Sequence, residues 1–243
     1  MEWATQWASR PPIVASIAYK GGDGKSTLAR EVAYQTGSVL VDFDWDRGCS
    51  SRSMGYRHER YTHAPLLEAL EKRETPTPIK GKRKADLIPS HPDFVNFQPD
   101  PETGADALET WARTLRRPLM IDTHPGGCDS TYAALKAADV IMVPAVFAKE
   151  SLNALEGMLE ELTDHPLLIV PHKVQSPPAW ARKRLRDMVR KFNVPVGPVV
   201  SMETWIPTRT LNVAVCSEPV AKRAEAYVRQ IDKLVEAVIN YAG

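Results

Sequence analysis

The chain has 243 residues, enough for one generous domain or two small ones, and either can bury a sizeable core. Its 31 Lys and Arg balance 30 Asp and Glu to a net charge of +1, which excludes a globally basic nucleic-acid coat and an acidic disordered chain. A polyanionic partner would have to meet a local patch. Hydrophobic residues make up 43%, charged residues 25%, and the mean hydropathy is −0.31, ordinary values for a globular protein. No apolar run approaches the ~20 residues that span a bilayer. Met1 to Arg10 lacks a basic start followed by an apolar stretch, so no secretory signal is expected and the cytoplasm is the expected compartment. Cys49, Cys128 and Cys216 show no CxxC spacing and read as three reduced thiols.

In chain order, residues 1–12 read as a short N-terminal extension, in which Trp3 and Trp7 are spaced to pack as a helical pair or to meet a partner. Continuous apolar, β-branched runs at 13–18, 38–43, 118–122, 140–144, 167–170 and 196–200 predict strands buried on both faces, and hence a parallel sheet. Helices are expected at 26–36, 104–116, 151–163, 178–192 and 218–241, the last opened by Glu218 and Pro219. The alternation predicts an α/β, doubly wound, mostly parallel sheet flanked by helices in a single domain over 1–243. Residues 71–101 hold six prolines and the run Lys80 to Lys84. They read as an elaborated Pro-rich connection with a short strand near Asp86–Ile88.

The sharpest motif is Lys20-Gly21-Gly22-Asp23-Gly24-Lys25-Ser26-Thr27, between a predicted strand and a predicted helix. Glycines let successive N–H groups face an anion and the helix N-terminus adds its dipole. Lys25 reaches the β- and γ-phosphates, and Ser26 offers a hydroxyl to Mg²⁺. The strict GxxxxGK[ST] pattern fails, because Tyr19 stands where it requires glycine. The second strand ends in Asp42-Phe43-Asp44, placing two carboxylates where ligands sit in an open α/β sheet. Asp42 alone is equally well read as a helix cap or a solvated edge. Leu119-Met120-Ile121-Asp122 is an apolar strand ending in a carboxylate suited to Mg²⁺. It is followed by Thr123-His124-Pro125-Gly126-Gly127, a backbone able to move with the γ-phosphate. His124 beside this turn reads as structural rather than as a base.

From Trp180 to Lys191 six basic residues stand against Asp187 alone, a net of +5 in twelve residues. On a helix Arg182, Arg186 and Arg190 share one face, with Lys183 beside them, away from the apolar Ala181, Leu185, Met188 and Phe192. Such a stripe suits phosphate contacts, and taken alone it is equally a solvated face. The Lys80–Lys84 loop is a weaker second patch. Val220, Ala224, Tyr227, Ile231, Leu234 and Val238 are spaced for a coiled-coil seam or for packing on the sheet.

The KGGxGK[ST] loop, with Lys20 five residues before Lys25, resembles the deviant Walker A motif of the ParA/MinD family of ATPases, most closely the small ParA type that partitions DNA. The resemblance runs from Ile13 to about Ala242, with the motifs in the expected order. It implies a P-loop fold, ATP and Mg²⁺ as cofactors, and an ATP-bound sandwich homodimer in which Lys20 crosses to the partner's nucleotide. Asp44 would position the attacking water, and Ser26 and Asp122 would serve the metal. His172, where the family has a base-reading asparagine, would meet adenine. The basic helix would hold nucleoid DNA non-specifically, and a centromere-binding adaptor would stimulate hydrolysis. Trp45-Asp46 stand where the family has Pro-Gln, and His124 replaces its first switch proline. Two alternatives are a MinD-like membrane-associated positioning ATPase, disfavoured because residues 236–243 carry no basic residue, and a nucleotide-dependent binding module that does not turn over.

Overall fold

The structure, a computed structural model, describes residues 10–242. The expectation for Trp3 and Trp7, with most of the 1–12 extension, lies outside the described residues.

The elements are β1 (Ile13–Ser16), α1 (Lys25–Thr36), β2 (Val39–Asp42), α2 (Ser50–Ser53), α3 (Pro65–Lys72), β3 (Asp86–Ile88), α4 (Pro101–Leu115), β4 (Leu119–Asp122), α5 (Asp129–Ala137), β5 (Val140–Ala145), α6 (Lys149–Leu162), β6 (Leu167–Val174), α7 (Ala179–Phe192), β7 (Val200–Ser201) and α8 (Glu225–Ala242). The strands form one sheet in the order β3-β2-β4-β1-β5-β6-β7, parallel at every pairing. Alternation along each strand divides the core. Ile13, Ala15, Val41, Ile121 and Ile141 face α4 to α7, while Val14, Leu40, Met120 and Met142 face α1 and α8. With apolar residues on both faces, the strand segments show no polar side to the sequence, which is why they stand out as continuous runs.

Several boundaries differ from expectation. Helix α4 starts at Pro101 because Asp100 accepts from the amides of Glu102 and Thr103, a complete N-cap with proline in the first turn. Helix α8 starts at Glu225, not at 218: the Glu218 carboxylate accepts from the Val220 amide, closing a local turn, and a 3₁₀ turn at Lys222–Ala224 precedes the helix. Its apolar positions Tyr227, Ile231, Leu234 and Val238 pack inward against α1 and the sheet, so the seam is a core face. Helices α2, α3 and α5 were not expected. The 71–101 connection contributes edge strand β3, and its Phe94 packs against Phe43, with ring centroids 5.3 Å apart. Strand β7 is shorter than the 196–200 run, because only Val196 bridges to Ile169 before Val200 joins β6. Strand β6 continues to Val174, four residues beyond its apolar run, and this carries His172 and Lys173 beneath the loop that follows β1.

Candidate nucleotide site

The loop between β1 and α1 is shaped by its glycines. Gly22 and Gly24 adopt φ of +87° and +98°, which L side chains rarely enter. A Cβ on Gly24 would also lie 2.1 Å from Cε1 of His172. No side chain caps α1, so its first-turn amides are left to an anion entering the loop, where the helix dipole also favours negative charge. Lys25 is buried at this terminus, while Ser26 and Thr27 are half-buried beside it and line the cavity in front of the loop. Gly21 and Gly22 are exposed and line the same cavity.

Strand β6 braces the loop from below. Nδ1 of His172 lies 2.8 Å from the Asp23 carbonyl and donates to it, and the Lys173 ammonium donates to the Gly22 carbonyl. Burial pushes the His172 imidazole down to about 4, so at neutral pH the ring is neutral with its proton on Nδ1. His172 borders the cavity, with Nδ1 engaged by the loop. Position 19 also has a role. The Tyr19 hydroxyl donates to Glu161 of α6 (2.7 Å), which accepts in turn from Tyr132 of α5 (2.6 Å), tethering the start of the loop to two helices.

Lys20 folds back toward its own α6, with Nζ 3.4 Å from the Ser151 hydroxyl, and that hydroxyl donates to Asp23 at 2.8 Å. Burial raises Asp23, opposed by Ser151 and by the charges of Lys20, Lys173 and Lys25.

The two strand-end carboxylates sit side by side: Asp42 and Asp122 are register partners of β2 and β4, both fully buried. Asp42 accepts from the amide (2.6 Å) and hydroxyl (2.5 Å) of Ser51 and from the Asp44 amide (3.1 Å), so it anchors α2, in line with the capping alternative. Burial, then the charge of Asp122, raises Asp42. Burial also raises Asp122, opposed by the Lys25 ammonium and by the hydroxyls of Ser50 and Ser26. Ser50 donates to Oδ2 of Asp122 at 2.7 Å, yet its buried Oδ1 has no hydrogen-bond partner. An orphaned carboxylate oxygen beside Ser26 and Lys25 fits a hydrated Mg²⁺ site, since it is an acceptor without a donor. Ser50 and Ser51 went unrecognised in the sequence, because nothing local marks two serines as partners of distant aspartates.

Asp44 follows β2, is nine-tenths buried, and accepts from the Asp46 amide at 3.0 Å. Trp45, Asp46 and His124, three of the residues that depart from the motif the sequence resembles, meet each other. The Trp45 and His124 rings stack with centroids 4.0 Å apart and planes 7° from parallel, and Nε2 of His124 lies 3.3 Å from Asp46. The segments after β2 and β4 are thereby joined.

The cavity in front of the loop has a volume of about 900 Å³. Its outer wall is the segment 202–213, including Met202, Ile206, Arg209, Leu211 and Asn212. Glu31 of α1 pins the end of this wall by accepting from the amides of Val215 (2.9 Å) and Cys216 (3.0 Å). None of these residues was expected. The wall has no periodicity, and Glu31 acts at a separation of 184 residues. Lys84, from the second basic patch, also lines this cavity and donates to the Met54 carbonyl, while Lys80 pairs with Asp86 at 2.8 Å, so that patch is partly engaged within the fold.

On α7, Ala181, Leu185 and Met188 are buried and Arg182, Lys183, Arg186 and Arg190 are exposed. Arg184 pairs with Glu156 (2.6 Å), Lys191 with Glu160 (3.0 Å), and Lys183 with Asp187 (2.6 Å). Among the described residues Arg182, Arg186 and Arg190 make no ion pair, so the expected stripe exists as three uncommitted cations on one face.

No protein-family model matches the sequence, and no curated protein matches it. Solved structures do match in fold. Apo McdA from Cyanothece is 18% identical over 96% of this chain and 99% of its own, with a TM-score of 0.74. A plasmid partition protein from Borrelia burgdorferi bound to AMPPNP is 18% identical over 95% and 99%, at 0.73. The MinD cell division protein of Aquifex aeolicus is 16% identical over 94% and 97%, at 0.71. The chain therefore has the P-loop fold that these proteins share, a parallel seven-stranded sheet flanked by helices.

Proposed function

We propose that the chain is a ParA-like ATPase: with ATP and Mg²⁺ it closes into a sandwich homodimer, binds DNA non-specifically and drives DNA partition with a centromere-binding adaptor. The observation that carries the ATPase reading is the orphaned Oδ1 of Asp122, an acceptor next to Ser26 and Lys25 at the mouth of an uncapped helix. Ser26 and Asp122 would hold Mg²⁺, which when bound neutralises charge on the phosphates.

The loop amides and Lys25 bind and orient the phosphates, and the 202–213 wall holds the rest of the nucleotide. In this reading Asp44, buried and lining the same cavity, orients the attacking water. Lys20 leaves Ser151 in the dimer and brings a cation to the partner's nucleotide, where charge develops in the transition state. The uncommitted stripe of α7 supports DNA over a membrane as the surface that the dimer meets, and pairing two such helices doubles the patch.

The Trp45–His124 stack favours a second reading, a binding module that closes on nucleotide without turnover, since it ties the segment after β4 to Asp46. Sedimentation and phosphate release test both together. ATP with Mg²⁺ should convert monomer to dimer, and DNA with an adaptor should accelerate release. Dimers with no release at all would favour the second reading, and no dimer would sink both.

A further inference from the structure

Helix α8 brings one polar group to the cavity in front of the phosphate loop. Tyr227 is 1% exposed, belongs to the core between α1, α8 and the sheet, and lines that cavity. Its hydroxyl is buried and has no hydrogen-bond partner among the described residues. Of the described side chains that line the cavity, Tyr227 alone carries such an atom. Glu31 lines the same cavity and its charge acts on the phenol, but its two carboxylate oxygens already accept from the amides of Val215 and Cys216. A buried hydroxyl left unpaired is destabilising, so this one fits a ligand better than a purely structural place in the core.

Position and chemistry together name the part of the ligand that it meets. Glu31 follows Lys25 by six residues, about 9 Å along α1 at 1.5 Å per residue. A hydroxyl within reach of the Glu31 charge is therefore set back from the phosphates, toward the nucleoside end. Met202, Ile206 and Val215 line the same cavity and offer apolar contact to a flat ring. Burial, then the charge of Glu31, raises the phenol well above its ordinary value, so the hydroxyl keeps its proton and donates. One donor among apolar side chains suits a heteroaromatic base, whose ring nitrogens and carbonyl oxygens are acceptors.

We propose that Tyr227 is a specificity-determining residue of the nucleotide site, its hydroxyl donating to an acceptor on the nucleobase. This rests on the nucleotide reading of the cavity and adds to it a base contact supplied by α8.

The test is titration calorimetry on the full chain, wild type against Tyr227→Phe, which keeps the ring and removes only the hydroxyl. ATP, ADP and the 2′- and 3′-deoxy forms of ATP should each bind the variant about fivefold more weakly, because all four carry the same base. Without nucleotide the variant should unfold at the wild-type temperature or above it, since the hydroxyl has no partner to lose. ATP affinity within about twofold of wild type, or a loss that ADP or either deoxy form escapes, would overturn the base contact and leave nucleotide binding standing. So would a lower unfolding temperature without nucleotide, which would mean that the hydroxyl is partnered within the fold. Wild-type protein that binds no ATP would overturn the nucleotide reading and this inference together.

Discussion

The imidazole of His172 occupies the space that a Cβ on Gly24 would need: the two atoms would lie 2.1 Å apart, while Nδ1 of the same ring holds the Asp23 carbonyl at 2.8 Å. Strand β6 thus sets the height of the phosphate loop. Gly24→Ala should eliminate ATP binding in a titration with a fluorescent ATP analogue. Adding His172→Ala removes the clash but not the φ of +98°, which costs an L residue about 1–2 kcal/mol, so the double variant should not recover. Wild-type affinity in Gly24→Ala would contradict this account of the loop.

The same imidazole makes loop stability depend on pH. Burial lowers its pKa from 6.5 to about 4, so over that interval the unfolded chain binds a proton that the folded chain does not. The contribution is present in full above pH 6.5 and is lost as pH falls toward 4. His172→Asn keeps a donor for the Asp23 carbonyl and removes the titration. Urea unfolding across this window should show a shallower acid loss in the variant than in the wild type, and equal slopes would contradict the assignment.

In the proposed function Asp122 serves Mg²⁺ binding at the expense of stability. It is fully buried beside Asp42, and burial raises both carboxyls. Asp122→Asn should therefore raise the midpoint of thermal unfolding in EDTA without nucleotide, by the equivalent of roughly 1 kcal/mol or more. The same variant should lose the Mg²⁺-dependent part of ATP affinity. A less stable variant with intact Mg²⁺ dependence would overturn this reading.

The sequence carried the sheet and the phosphate loop well for one reason: both are local patterns. Strands buried on two faces appear as unbroken apolar runs, and the loop is a contiguous motif. Helix α5 escaped notice because its buried side is mostly small, with Ala133, Ala134 and Ala137, and gives little amphipathic contrast. Helix α4 begins three residues before the expected 104, at the start marked by Asp100 and Pro101, a signal masked by the surrounding prolines. Glu31, Ser50 and Ser51 act on residues distant in sequence, and the 202–213 wall is irregular. Such contacts are determined by the assembled fold. The Trp45–His124 stack is similar: the two residues are distant in sequence, and only the assembled fold brings their rings together.

Lys20 separates binding from turnover in the proposed dimer. Its contact with Ser151 is long, at 3.4 Å, and only half-buried, so Lys20→Ala should change stability little and leave nucleotide binding by the monomer within about threefold of wild type. Phosphate release stimulated by DNA and adaptor should fall by about 10³-fold or more, the scale seen when a cation supplied in trans is removed. Full activity in the variant would remove Lys20 from catalysis.

The most direct measurement of the central claim is DNA binding with and without ATP, followed across a range of salt concentrations. Arg182, Arg186 and Arg190 are exposed and unpaired among the described residues, so ATP-bound protein should bind DNA of unrelated sequences alike, with affinity falling steeply as salt rises. Changing all three to Glu should abolish that binding while leaving nucleotide binding intact. If the triple variant binds DNA with the wild-type affinity and salt slope, or if wild-type binding ignores ATP, the proposal of an ATP-gated DNA-partition protein acting through α7 is wrong.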